Sequence, residues 1–448
     1  MSLTASSVAA LVAETPRSRD RYVDFLRALS IAVVVFGHWL MAIVYFKGGE
    51  FAGASVLEVV PWAWAATWLL QVMPLFFFVG GFSNFTSWRA NERRGGSYFN
   101  FVTGRIERLM RPTAVFIGAW LAVAAVIEFA APTVAESLRP GMAIIAKPLW
   151  FIAVYLGVVA LAPAMLHLHR AYGMRVPVVM ALCAAAVDVM RIALDLPLIG
   201  YLNFGFVWLI AHQLGFLYAD GTFAAWSRRR LAAATVAGFG ALALLTALGP
   251  YSASMVGAAD GRVSNNDPPT ICLVALSVGL IGAALLAREN IARKLQGRRL
   301  WGAVSATNSV IMTVFLWHLT ALLLAVVTLY PLGFPQPVGG TAVWWLTRPV
   351  WMVLVARCVV PFLVVFARFE RPCLRPARGA RKGSFVRATA GVAAATAGIA
   401  GFATDGFAGM FEAAGPISNA ALLGTGVILL RLWGGTLLPA CRKKLGLQ

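Results

Sequence analysis

The chain has 448 residues, 60% of them hydrophobic and only 12% charged, with a mean hydropathy of +0.77. A soluble chain of this length would carry about 25% charged residues and divide into two or three domains, whereas apolar runs of ~20 residues recur along almost all of this one, which is the pattern of membrane-spanning helices. The net charge of +20 does not make a nucleic-acid surface, because the basic residues sit in short connections between apolar runs, and the ~10-residue alternating segments of a membrane β-barrel are not seen.

Residues 1–16 are weakly apolar and lack the early basic cluster of a cleavable leader, so the first span, about 23–46, is expected to persist behind a cytoplasmic tail. It opens "DFLRALSIAVVVFGHWL", with Asp24 and Arg27 at one end and His38 well inside. Eleven residues separate Arg27 from His38. On a helix that is about 16 Å of rise and a return to within about 20° of the same face. An ionisable group at that depth is costly and usually faces a cavity or a partner. Hydrogen bonding inside the bundle would account for it equally well.

The second span, 63–86, contains "MPLFFFVGGFSNF", in which Gly80 and Gly81 permit close approach of another backbone or a ligand. The segment "RGGSYFNFVTGRIERLMRP" (94–112) then precedes a third span expected at 112–131. Arg105 and Arg108, three apart, share a helix face, and Arg111 continues the row. Planar guanidinium forks suit phosphate oxygens, although loop charge that fixes topology explains any one of them. A fourth span, 148–167, carries Trp150, and His167 and His169 are expected to flank the turn that follows. Their i, i+2 spacing without a third ligand argues against metal. Asp188 and Arg191 near the end of the fifth span, 175–193, suggest a local ion pair.

Spans six to ten are expected at 202–219, 231–249, 269–287, 307–330 and 341–367. They bring His212 and His318 inside the membrane, each readable as a core histidine or as a functional one. The connection 250–268 is turn-rich and ends "SNNDPP". Beyond the tenth span, "RPCLRPARGARKGSFVR" (371–387) reads as a basic cytoplasmic linker that contacts anionic lipid headgroups or simply fixes topology. Two weaker apolar stretches follow, 389–403 and 416–433, the first short for a span.

With the N-terminus inside, 27 Lys and Arg fall in inner connections, against Lys47, Arg139, Lys147, Arg191, Arg262 and Arg348 outside. The positive-inside bias thus makes the N-terminus cytoplasmic. The five cysteines show no Cys-x-x-Cys spacing, and at least three lie in apolar runs, so neither a disulfide framework nor a zinc site is expected. The expected architecture is all-α: a polytopic transmembrane bundle of about ten spans over 21–370, a tail over 1–20, and a basic linker with weakly hydrophobic, membrane-associated helices over 371–448.

The Arg-x(10)-His pattern of Arg27 and His38, preceded by Asp24, and the Arg-x-x-Arg pattern of Arg105 and Arg108 occur with "PLFFFVGGF", "PLWFIAVYL", "NDPPT" and "LWHLT" in order. Over about 18–370 the set resembles acyltransferase family 3, membrane-embedded bacterial O-acyltransferases of about ten helices. The resemblance implies an enzyme of the bacterial inner membrane. It would transfer an acyl group, often acetyl, from cytoplasmic acyl-CoA to a hydroxyl of a cell-envelope glycan, glycolipid or natural product, with no bound cofactor. By position it implies His38 as catalytic residue, and Arg27, Asp24, Arg105 and Arg108 as donor-binding or supporting residues. His318, His212 and Trp150 remain as further candidates for acceptor binding or support. Two motifs depart from the family. Ala153, Val154 and Tyr155 stand where many members place an acid after the "LW" pair, and "GGF" (80–82) replaces "SGF". A transporter or flippase is the alternative reading, and it too would place charges at mid-depth. No matching halves of the kind transporters often show are evident.

Overall fold

The computed structural model describes residues 19–47, 50–257, 260–370, 383–409 and 415–432. In chain order the elements are α1 (Arg21–Met41), an antiparallel hairpin of β1 (Ala42–Lys47) and β2 (Glu50–Ser55), α2 (Val56–Val59), α3 (Trp64–Leu70), α4 (Met73–Arg93), α5 (Tyr98–Ala130), α6 (Pro132–Ala146) and α7 (Leu149–Tyr172). They continue with α8 (Arg175–Ala193), α9 (Asn203–Ala219), α10 (Arg228–Leu248), α11 (Ile271–Lys294), α12 (Arg298–Ser309), α13 (Ile311–Leu329), α14 (Ala342–Phe366), α15 (Phe385–Asp405) and α16 (Pro416–Leu429). Among the described residues, 11 helical stretches are long and apolar enough to cross a membrane. The chain is a multi-pass helical membrane protein. Most of the expected tail (1–18) and of the basic linker (371–382), with Cys373 and Cys441, lies outside the described residues.

Four boundaries differ from the sequence reading, each for a physical reason. The first span stops at Met41, and "AIVYFK" turns into β1, because a short apolar run rich in β-branched and aromatic residues does not by periodicity distinguish strand from helix. The third span starts at Tyr98, capped by Ser97, whose side chain accepts from the Asn100 amide. It runs straight through Pro112. Pro112 frees the Arg108 carbonyl, four residues back, and membrane helices tolerate this where neighbouring groups re-satisfy the backbone. The fourth span extends to Tyr172, so His167 and His169 lie within α7, not around a turn. His169 is buried, with ring nitrogens 2.8 Å from Asp220 Oδ2 and 2.8 Å from Gln213 Nε2. Finally, α15 is 21 residues long and provides the eleventh candidate span.

The chain divides into two compact units. The first comprises Met1–Thr86, Ala164–Ile311 and Ala325–Arg357. In it α1 is tied down by the Tyr22 hydroxyl donating to the Ala284 carbonyl, by Arg21 to Leu295 O at 3.0 Å and by Asn308 Nδ2 to Asp24 O at 2.9 Å. The 250–270 connection, expected as a plain turn-rich loop, is built into the unit. Met255 N donates to Thr67 Oγ1 at 2.9 Å, and Gln71 Nε2 to Asn266 Oδ1 at 3.0 Å.

The loop's anchor is Asp188, which is 1% exposed. Its carboxylate accepts from Asn203 Nδ2 (2.8 Å), Tyr251 Oη (3.1 Å) and the Ile271 amide (2.8 Å). Burial pushes the Tyr251 phenol well above its ordinary range, with Asp188 adding to the effect, so the phenol stays protonated and donates. Arg191, expected to pair with Asp188, acts on its carboxylate electrostatically and donates to the Pro268 carbonyl at 3.4 Å. An Asp188→Ala substitution strands three donors. At ~1–3 kcal/mol for a buried group left unmet, it should cost about 3 kcal/mol or more. The check is thermal unfolding together with newly opened protease cleavage within 250–268.

The second unit comprises Ser87–Pro163, Met312–Leu324 and Cys358–Gln448. Its α15 and α16 pack backbone to backbone: a Cβ on Gly398 would lie 2.6 Å from Asn419 O. The segment after α15 buries Phe407 completely, stacked on Trp120 (6.0 Å) and edge-on to Phe116 (5.9 Å). Gly409 N donates to Glu128 Oε1 at 2.7 Å. The C-terminal helices are therefore part of this unit's packing. Glu370 caps the start of α13, accepting from Met312 N (2.9 Å) and Thr313 N (3.1 Å). Burial pushes its carboxyl up, against the lowering effect of those bonds.

Candidate active site

In the first unit the site begins at the start of α1. Asp20 caps the helix, accepting from the Tyr22 and Val23 amides at 2.9 and 3.2 Å. One turn on, Asp24 is buried and its carboxylate sits between Arg19 Nε and Arg27 Nη1, the latter at 3.1 Å. The other arm of the Arg27 fork, Nη2, donates to Ser83 Oγ on α4 at 2.9 Å. Two helices thus fix the guanidinium, and its charge is partly balanced by a carboxylate. Such charge-assisted bonds are shorter and roughly twice as strong as neutral ones. Farther along the same face of α1, His38 is half-buried and hydrogen-bonds the Val34 backbone. Next to it in sequence, a Cβ on Gly37 would meet no atom within 4 Å.

The "GGFSNF" stretch of α4 does more than the glycine reading anticipated. A Cβ on Gly81 would lie 1.9 Å from His212 O and 3.1 Å from Gly215 Cα, so α4 and α9 cross in backbone contact there. Asn84 Nδ2 lies 3.0 Å from His212 Nε2, both residues fully buried. Ser83 and Asn84 were missed from sequence. The available signal was a polar pair following two glycines in an otherwise apolar span.

In the second unit, Arg105 and Arg108 lie on α5 itself, not on a preceding loop. Arg105 is half-buried with Nη1 3.5 Å from Ser87 Oγ, and Arg108 is exposed beside it. Arg111, the third of the row, pairs with Glu107 at 3.2 Å. The row presents two cations three residues apart, one of them exposed, an arrangement able to meet a polyanion. Trp150 and His318 join one aromatic series. Trp150 meets Phe151 edge-on at 6.2 Å, Phe151 meets Phe315 at 5.5 Å, and Phe315 stacks on His318 at 6.0 Å. His318 is fully buried with Nδ1 bonded to the Phe315 carbonyl. Trp120 Nε1 donates to Thr320 Oγ1 at 3.1 Å, two residues past His318.

Comparison with known proteins adds one match. A family model described as an acyltransferase domain matches residues 20–368. No curated protein and no solved structure matches the chain. The matched stretch contains Asp24, Arg27, His38, Arg105, Arg108, Trp150, His212 and His318, and it stops before α15.

Proposed function

Because this chain belongs to the acyltransferase family whose domain covers residues 20–368, we propose that it moves an acyl group, acetyl by preference, from cytoplasmic acyl-CoA to a hydroxyl of a cell-envelope glycan, glycolipid or natural product. It does so in the bacterial inner membrane with its N-terminus cytoplasmic, an orientation supported by the 27-to-6 division of basic residues between its two sides. Family membership favours acyl transfer over the transport alternative.

The observation that carries the reading is the α1 face. It holds a clamped cation at one end and, about 16 Å farther along at 1.5 Å per residue, a half-buried histidine. The phosphates of a CoA donor do not enter hydrocarbon, while its pantetheine arm is about as long as that rise. His38 removes the proton of the acceptor hydroxyl, and the oxygen attacks the thioester carbonyl. The C–S bond then breaks, and the CoA thiolate leaves with the proton returned from the imidazolium. General-base assistance of this kind is worth ~10²–10⁴ in rate. Asp24 and Ser83 hold Arg27, a positioning role.

Arg105 and Arg108 bind donor phosphates in this reading. Replacing both with Ala should weaken acyl-CoA binding by about tenfold or more, since bonds to charged groups are worth ~1.5–3 kcal/mol each. Calorimetric titration of the purified protein with acetyl-CoA measures it, and an unchanged affinity removes these residues from the donor site.

A further inference from the structure

At the end of α1 remote from Arg27, the first unit buries a cation that the proposed reaction does not use. Ile43, Val56, Val60, Ala63 and Trp344 form an apolar cluster, with Leu40, two residues past His38, packed against it. The 331–341 segment closes on this cluster. Gly339 N donates to Tyr45 Oη at 2.9 Å, and Gln336 Oε1 accepts from Phe46 N at 2.6 Å. Inside sits Arg348, 5% exposed, on the second turn of α14. Its guanidinium lies 4.3 Å from the Trp344 ring centroid and 5.6 Å from that of Trp351, and it hydrogen-bonds Tyr330. Its Nε has no hydrogen-bond partner, and among the described residues no carboxylate pairs with it.

A buried guanidinium is costly unless charge and hydrogen bonds compensate it. Two indole faces and one phenol offset part of the cost. They leave an unmet donor and a full positive charge, the two things a phosphate or carboxylate supplies to an arginine fork. The rim of the cluster is aromatic as well. Trp62, 62% exposed, stacks on Trp345 at 6.0 Å, and Trp345 meets Trp344 edge-on at 4.7 Å. An interfacial tryptophan belt accounts for Trp62 and Trp345. It does not account for a desolvated arginine behind them.

We propose that Arg348 is an anion-recognition point at the His38 end of α1, taking a phosphate or carboxylate carried by the acceptor, with Trp62 and Trp345 as the rim over which the acceptor passes. The inference rests on the acyl-transfer reading for the word acceptor, and the site itself is tested without activity. Arg348 then sets the class of acceptor, anionic and not neutral, while His38 sets the chemistry.

The test uses the full chain in phosphatidylcholine nanodiscs, titrated with inorganic phosphate or acetate against chloride at equal ionic strength. It is read by intrinsic tryptophan fluorescence, since Trp344 and Trp351 flank the guanidinium. Wild-type protein should respond saturably to phosphate or acetate. Arg348→Gln should weaken that response about tenfold or more, as expected when one partner of a buried charge pair is removed. Arg348→Lys, which keeps the charge and loses the fork, should fall between, and it decides alone where Arg348→Gln does not fold. In a second arm phosphatidylglycerol replaces phosphatidylcholine. An Arg348-dependent response to that lipid alone assigns a lipid headgroup, and a response to soluble anion alone assigns a glycan or solute anion. No response to phosphate, acetate or phosphatidylglycerol, or responses unchanged in both variants, overturns the site. Acyl transfer is not read out, so this failure leaves the acyltransferase reading standing.

Discussion

A His38→Ala protein should insert, fold and bind acyl-CoA as the wild type does, and transfer acyl groups ~10²–10⁴ times more slowly. The separation of these effects follows from the surroundings of the side chain. His38 is half-buried and bonded to its own helix at Val34, so its loss opens little core. The Arg27 fork is held by Asp24 and Ser83, not by the imidazole, so donor affinity should change less than twofold. Thermal unfolding, acetyl-CoA titration and initial rates on one preparation separate the three quantities. A rate within twofold of wild type removes His38 from the chemistry, and a collapse of stability reassigns it to packing.

The largest structural effect is expected at Gly81→Ala. The new Cβ would meet His212 O at 1.9 Å and its carbonyl carbon at 2.9 Å. The reciprocal position is as tight, since a Cβ on Gly215 would lie 2.1 Å from Phe78 O. Both obstacles are backbone, so no rotamer relieves the overlap and α4 must move off α9. Overpacking of a tight core costs ~1–3 kcal/mol and sometimes more. Here the displacement also pulls Asn84 from His212 and Ser83 from Arg27. We expect a loss of about 3 kcal/mol or more and of most activity. Gly104→Ala on α5, where the added Cβ meets nothing within 4 Å, is the control. It should be neutral or stabilising by up to ~1 kcal/mol from helix propensity. Equal melting temperatures for the two variants would contradict the assigned crossing.

The fold was legible where the signal was long and apolar. All ten expected spans overlap candidate spans, because ~20 consecutive apolar residues admit few other solutions. What escaped was decided by tertiary contact. The β-hairpin from Ala42 reads as more helix until Trp344 is there to pack on Ile43. The start of α5 hides behind Pro112, a helix breaker in water but not in a packed bundle. The Ala- and Gly-rich α15 reads as too short and weak until α16 is laid against Gly398. At the site, spacing alone put Arg27 and His38 on one face and made a close approach at Gly81 readable. Ser83, Asn84 and the buried Arg348 were not legible as partners, because their counterparts lie 56, 128 and 18 residues away at Arg27, His212 and Tyr330.

The most direct test of the central claim is release of CoA thiol from acetyl-CoA by the purified chain in nanodiscs, followed on addition of an envelope lipid and glycan fraction. The account predicts thiol release that depends on that fraction, matches the acetyl ester formed in it, and falls ~10²–10⁴-fold in the His38→Ala protein. Absence of acetyl-CoA binding and of thiol release by wild-type protein with every acceptor fraction would contradict it.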